Sequence, residues 1–331
     1  MLNQKFLNQV ICGDSLKEIL PKIADNSIDV VITDPPYFLN KMDDNWNYDK
    51  VSSNKNHYVI KSLPAGMKFD RTQGIKFYEW YLLVSKEIFR VLKPGGFFFS
   101  FSSPKLYHRM ASAIDDAGFE FRDVFMWLYT QNQAKAMGLE HFINKMDIDN
   151  QAKDEMKIKL KGWKTPQIKS CFEPIAMAQK PNDGTYLNNM IKNEVGLLNT
   201  NIKIGKENDM YPANVFSVDT INSLIDKAFL LPKPSKQERG EFNDHKTVKP
   251  LAICEYLINL SAFSDNAVIL DPFAGSGTTA VATKKIGKNY IAIDLNKKYV
   301  EIANKRLGKT RNEAETKVFS QIDNLPQLQF L

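Results

Sequence analysis

Apolar residues fall along this chain in two kinds of run that take turns. Short runs with little polar interruption occur at IDVVIT (28–33), GFFFSFS (96–102), NAVILD (266–271) and NYIAID (289–294). Such runs mark strands buried on both faces of a parallel sheet. Between them, apolar residues recur three and four apart. FYEWYLLVSKEIFRVL predicts a helix from Ile75 to Leu92, stopped by Lys93-Pro94-Gly95-Gly96. SPKLYHRMASAIDDAG predicts a second, with a Ser-Pro start and a Gly stop. TVKPLAICEYLINLSAF and LNKKYVEIANKRL predict two more, and SLKEILPKI reads as an amphipathic stretch. Gln9 to Cys12, FEFRDVFMWLY (119–129) and CFEPIAMAQKP (171–181) supply further strands. This alternation predicts parallel crossover units and an α/β fold.

The rhythm breaks in three places. Residues 38–74 read as a long polar loop. Residues 130–170 are polar and lysine-rich, and 181–246 lack a clear period. The expected division is a core of 1–129, 171–180 and 247–308, an irregular region of 130–170 and 181–246, and a peripheral tail of 309–331. No internal repeat is visible.

Composition narrows the classes. With 331 residues, 43% hydrophobic and 25% charged, the chain can form one large domain or two smaller ones. No apolar run approaches the ~18 residues of a membrane span. The start, MLNQKFLNQVICGDS, lacks a basic stretch followed by an apolar one, so no secretion signal is expected. Three distant cysteines (Cys12, Cys171, Cys254) suit neither a disulfide framework nor a four-ligand zinc site. A reducing, cytoplasmic setting and no metal are expected. The net charge of +6 is compatible with a polyanionic partner.

Two turns carry chemistry. The first is Asp271-Pro272-Phe273-Ala274-Gly275-Ser276-Gly277, between a strand and a helix, with the next strand ending in Asp294. Glycines let backbone pass close to a ligand, and an acid ending the following strand suits ribose hydroxyls. With Ala280 in the third position the turn fits a dinucleotide. It is not a phosphate P-loop, because no Lys-Ser/Thr follows the second Gly. Asp271 favours S-adenosylmethionine instead, since a carboxylate there repels a pyrophosphate and attracts a cationic amino end. The plainer alternative is a Gly turn that only lets helix and strand pack closely.

The second turn is Asp34-Pro35-Pro36-Tyr37, directly after the apolar strand. Proline stiffens the chain and fixes where its carbonyl points. A carboxylate beside such a carbonyl offers two acceptors, which match the two N–H donors of an exocyclic amine. A tyrosine ring offers a stacking face. The arrangement describes a clamp for an amino group on a flat heterocycle. Accepting from both N–H groups raises the electron density of a weakly nucleophilic nitrogen, so no covalent intermediate and no nucleophilic cysteine are needed. The plainer alternative is a stiff loop start with a rim aromatic.

Together these turns resemble the amino-methyltransferases of DNA, which methylate exocyclic nitrogens with S-adenosylmethionine. Gly13-Asp14-Ser15 resembles the family's motif whose acid contacts the adenine of the cofactor. KPGGFFFSF resembles the strand after the clamp's helix. His245-Lys246-Thr247-Val248-Lys249-Pro250 resembles the element that borders the methionine end. The clamp precedes the cofactor turn, the permuted order of the β class. Lys246 stands where the family usually has Pro, and Asp294 where Glu is frequent.

The resemblance implies a Rossmann-like, doubly wound, mostly parallel seven-stranded sheet. It implies catalytic roles for Asp34, Pro35, Pro36 and Tyr37. It implies cofactor contacts from Asp14, Ser15, Asp34, Thr247, Lys249, Asp271, Phe273, Ala274, Gly275, Ser276, Gly277, Asp294 and Leu295. Double-stranded DNA with a flipped-out base is the implied substrate, with adenine N6 favoured by the Asp-Pro-Pro-Tyr form and cytosine N4 as the alternative. A homodimer and a companion restriction endonuclease, in a bacterial, archaeal or phage setting, also follow from the resemblance. Rival readings are an RNA or protein-glutamine methyltransferase and an inactive DNA-binding relative. Residues 151–170 hold six lysines against two acids, a local balance of +4. Lys157, Lys159, Lys161, Trp163 and Lys164 are the candidate DNA contacts, as phosphate ligands and a filler for the flipped base's gap. Lysines 284, 285, 288, 297 and 298 fit an outer helix face better. Phe38, Trp46, Tyr48 and Tyr58 are further aromatic candidates.

Overall fold

The computed structural model describes residues 4–36, 71–128, 136–166, 171–202, 212, 214–216, 234–235, 238, 243 and 248–309. Tyr37, the aromatics of 38–58, and His245 to Thr247 lie outside the described residues.

An eight-stranded, mostly parallel sheet forms the middle layer. Its strands are β1 (Gln9–Cys12), β2 (Ile28–Thr33), β3 (Leu92–Phe101), β4 (Glu120–Leu128), β5 (Phe172–Gln179), β6 (Val215–Phe216), β7 (Val268–Asp271) and β8 (Asn289–Asp294). Their order is β1-β8-β7-β2-β3-β5-β4-β6, with β5 antiparallel to both neighbours. Seven of these strands make the expected mostly parallel sheet, and the two-residue β6 extends it along β4. A pair of residues is too short to show any period in sequence.

The described helices are α1 (Arg71–Val91), α2 (Tyr107–Asp115), α3 (Glu140–Asn144), α4 (Asn150–Lys159), α5 (Tyr186–Asn193), α6 (Leu251–Ser261), α7 (Thr278–Ile286) and α8 (Lys297–Lys309). Helix α1 starts inside the expected loop of 38–74, and β3 begins where it ends. Lys93 to Gly96 therefore run into the strand rather than forming a separate stop, accommodated by a shift in register against β2. SLKEILPKI forms two short helical turns, because Pro21 interrupts it.

Alternation along β3 builds both sides of the core. Phe98 packs with Phe77, Tyr81 and Val84 of α1, while Phe97, Phe99 and Phe101 pack with Ile253, Leu257 and Ile258 of α6. Each buried aromatic ring contributes about 2 kcal/mol through apolar area removed from water. Helices α7 and α8 cover β8 and β1 through Ala280, Val300 and Ala303. Residues 182–196, on the expected irregular stretch, pack against this core. Asn189 is fully buried and donates to the carbonyls of Pro94 and Val195.

Chain direction decides what meets at the carboxyl edge of the sheet. β2 and β7 lie side by side, with Val31 opposite Leu270. On one side the order continues to β8, on the other to β3. Ligands of such sheets bind at this reversal, outside the strand ends. β4 and β5 pair with Leu128 opposite Phe172, so residues 129–171 leave and re-enter the sheet at that same edge.

Candidate active site

Two turns, 237 positions apart in sequence, meet at the ends of β2 and β7. Thr33, almost wholly buried, donates its hydroxyl to Asp271 Oδ1 at 2.8 Å. The next residue is Asp34, followed by a buried Pro35. The acid of the clamp and the acid of the Gly-rich turn therefore flank one threonine.

Asp271 is buried, and no cation pairs with it among the described residues. Its partners are the Thr33 and Thr279 hydroxyls and the Phe273 N–H. Desolvation pushes its pKa up to about 7; these hydrogen bonds oppose the rise, and the charge of Asp34 adds to it. Asp294, at the end of β8, accepts from Gly275 N and Asn296 N, both at 2.8 Å. Burial raises it to about 6 against those two bonds. Two desolvated carboxylates facing a glycine turn suit an ammonium and a ribose diol, and disfavour a pyrophosphate. The residues present thus fit S-adenosylmethionine.

Asp14, Ser15, Phe273, Ala274 and Leu295, also expected at the cofactor, lie around this turn. Gly13 N donates to Asp294 O, bringing the end of β1 to the same edge. Asp14 caps the following turn: its carboxylate accepts from Lys17 N at 2.9 Å, and Glu18 accepts from Asp14 N. Ser15, buried, donates to the Pro272 carbonyl. It therefore braces the Gly-rich turn from below. Phe273 packs against Trp80, with ring centroids 5.4 Å apart, and Leu295 is exposed at the rim. Ala274 N donates to Ile293 O.

Gly275 and Gly277 both have positive φ, +52° and +79°. A Cβ at Gly277 would lie 2.7 Å from Ala303 Cβ. The need for glycine here comes from helix α8 behind the turn, in addition to the left-handed backbone.

Lys249 connects the clamp to the start of α6. Its Nζ lies 2.6 Å from Asp34 Oδ2 and 3.0 Å from Glu173 Oε2, and 5.3 Å from the Phe101 ring centroid. Burial disfavours the ammonium, but the two carboxylates override that and raise its pKa. Expected at the methionine end of the cofactor, this lysine sits on the clamp acid. Pro250 fixes its peptide at the helix start, and Glu238 Oε1 accepts from Leu251 N at 2.8 Å.

Four residues at the site carry no motif. Thr33 and Tyr81 lie buried beneath it; Tyr81 shares a 2.6 Å hydrogen bond with Ser100, and burial plus the charges of Asp34 and Asp271 keep its phenol neutral. Arg306 of α8, nine-tenths buried or more, donates to Ser276 O, Ser276 Oγ and Thr278 Oγ1 at 2.8–3.3 Å. It stiffens the Gly-rich turn from the α8 side. Its signal was its place among Ile302, Ala303 and Leu307, an arginine on an apolar helix face. Glu173, the fourth, is the one acidic residue of a mostly apolar strand. Cys254, buried beneath the site, is pushed up to about 12 by burial and then by Asp271, which leaves its thiol inert.

The lysine-rich segment lies beyond the clamp edge in chain order. Trp163 and Ile158 are strongly exposed, 72% and 76%. That excludes a core role for Trp163. Lys157 pairs with Asp154 at 3.0 Å, while Lys159, Lys161 and Lys164 are exposed. Lys284, Lys285 and Lys288 are tied to Leu307 O, Glu255 and Ser264 O. Among the described residues no group of His, Cys, Asp and Glu could hold a metal, and no helix is long and apolar enough to cross a membrane.

Comparison with known proteins places these features in a family. The family model described as DNA methylase, of the N6/N4 type, matches residues 28–305. The Type II methyltransferase M.HindIII of Haemophilus influenzae is 30% identical over 319 residues, covering 91% of this chain and 95% of its own. Two solved structures share the fold. The M1.HpyAVI complex with S-adenosylmethionine is 20% identical, covers 90% of this chain and 98% of its own, and has a TM-score of 0.50. The cytosine-N4-specific PvuII DNA methyltransferase is 16% identical, covers 95% and 91%, and has a TM-score of 0.51.

Proposed function

Because the chain belongs to the N6/N4 DNA methylase family, whose methyl donor is S-adenosylmethionine, we propose that it methylates the N6 of adenine in a base flipped out of duplex DNA. The carrying observation is the Thr33 bridge, which sets the clamp acid beside the cofactor carboxylate at the strand-order reversal. The cofactor supplies an electrophilic methyl group on a sulfonium. Asp271 offers its carboxylate to the cofactor's ammonium, and Asp294 its remaining lone pairs to the ribose. Arg306 and Ser15 hold the turn between them in place.

Asp34 and the Pro35 carbonyl accept the two N–H donors of the substrate amine. This holds the nitrogen lone pair out of the ring's conjugation and aims it along the edge. As the nitrogen bonds the methyl carbon and the carbon–sulfur bond breaks to leave a neutral thioether, the Asp34 carboxylate would stabilise the positive charge on the nitrogen until one N–H proton passes to water. Tyr37 stacks on the base. Extruding the base costs a few kcal/mol, which binding must supply.

The recognition surface in this reading is 130–170 with 181–246. β4 ends and β5 begins at the clamp edge, on either side of the first segment, and Lys159, Lys161, Lys164 and Trp163 are exposed while Lys157 is half-buried beside Asp154. The Type II name of the Haemophilus relative is in keeping with a restriction–modification setting, to which a companion endonuclease would belong. Cytosine N4 is the second reading, because either amine satisfies the same pair of acceptors. The test is incubation with labelled cofactor and duplex DNA, then digestion to nucleosides. Label in N6-methyladenine supports the reading, label in N4-methylcytosine moves it to the second, and label in neither overturns both.

A further inference from the structure

Given the methyl-transfer reading above, on which the assignment rests, we propose that Glu173 is a positioning residue that restores negative charge to the clamp through Lys249.

Asp34 does not stand alone. The ammonium of Lys249 lies 2.6 Å from its Oδ2 and is almost sealed from water, its side chain 8% exposed. An isolated Asp34–Lys249 pair has no net charge. A neutral pair is a poor partner for an amine that turns cationic as it takes a methyl group and becomes neutral only when an N–H proton leaves. At such a site catalysis needs charge placed where charge develops.

Glu173 supplies what the lysine cancels. Its Oε2 lies 3.0 Å from the same ammonium. Among the described residues, two carboxylates and one ammonium give −2 + 1 = −1 for the cluster. That oxygen is cut off from solvent, and the Lys249 ammonium is the charge it faces among the described residues. The strand fixes it there. Glu173 is the second residue of β5, paired opposite Trp127, and Pro174 accepts from Ser102 N at 2.9 Å. A carboxylate in an apolar strand at the substrate edge is costly unless paired, and Lys249 is the pair. The lysine in turn can lean toward Glu173 when an amine approaches Asp34, without losing an anionic partner. Glu173 touches neither base nor cofactor in this scheme and acts through Lys249.

The experiment uses the full chain, labelled S-adenosylmethionine and duplex DNA containing the enzyme's site, at saturating concentrations in single-turnover mode. Glu173→Gln keeps the shape and removes the charge. It should lower the methyl-transfer rate tenfold or more, with cofactor Kd and DNA KM within threefold of wild type. The double variant Glu173→Gln with Lys249→Gln removes both compensating charges and leaves Asp34 at −1. It should be at least threefold faster than Glu173→Gln alone. A strand-packing role predicts the reverse, since a second lesion can only slow the enzyme further. A wild-type rate in Glu173→Gln, or a double variant no faster than that single, overturns the assignment while wild-type transfer upholds the functional reading. No transfer by the wild-type chain overturns the functional reading and the assignment with it.

Discussion

Asp271 should lose a proton when the methyl donor binds. Its side chain is 5% exposed, and desolvation lifts its pKa from 3.8 to about 7. The ionised form is the disfavoured one in the folded chain. This group therefore adds most to stability below pH ~3.8, loses that contribution as the pH rises to about 7, and changes little above it. A shift of about three pH units corresponds to roughly 4 kcal/mol at most. An ammonium placed on this carboxylate recovers part of that penalty, so binding selects the ionised form. Below pH 7 each bound cofactor must displace a proton. With a pKa near 7, release should be about 0.9 proton at pH 6 and about 0.1 at pH 8, and Kd should be roughly tenfold weaker at pH 6. The cofactor's own α-amino group stays protonated over most of this window. Calorimetry at each pH, in buffers of different ionisation enthalpy, measures the release directly. Asp271→Asn should bind more weakly and lose most of the release. Asp294, raised to about 6, accounts for any remainder at the lower end. Wild-type binding without proton release at pH 6 would refute the placement of a cation on Asp271, as would unchanged release in Asp271→Asn.

Three further outcomes follow from the geometry. Asp34→Ala should lower methyl transfer by about 10²–10³-fold, the range for removing one preorganised partner of transition-state charge. Cofactor affinity by calorimetry should stay near wild type, and retained turnover would remove Asp34 from the clamp. Gly277→Ala places a Cβ 2.7 Å from Ala303 Cβ at φ +79°, which should cost about 2 kcal/mol in urea unfolding. Adding Ala303→Gly should return part of that loss; no recovery would locate the strain elsewhere. Replacing Lys159, Lys161 and Lys164 with Gln should weaken DNA binding and reduce the salt slope of log K by up to ~0.9 for each phosphate no longer neutralised. An unchanged slope in fluorescence anisotropy would take these lysines off the DNA.

Much of the sheet was legible because its strands are buried on both faces. β1, β2 and β8 begin and end where their apolar runs do. β6 was not legible, since two residues carry no period, and α5 was hidden in a stretch whose apolar face is interrupted by asparagines. One of those, Asn189, turned out to be buried and bonded to three neighbouring segments.

The sequence by itself determined the two reactive turns, because a stiff Asp-Pro-Pro and a glycine-rich strand-to-helix turn are local chemistry. Family, methyl donor and permuted order were written in those residues and their sequence. What only the tertiary structure decided is which charges share a space. Thr33 bridging to Asp271, Lys249 between Asp34 and Glu173, and Arg306 behind Ser276 join residues 30 to 238 positions apart. Electrostatic coupling acts over a few ångströms through a dry interior, and chain distance says nothing about it until the sheet has brought the strand ends together.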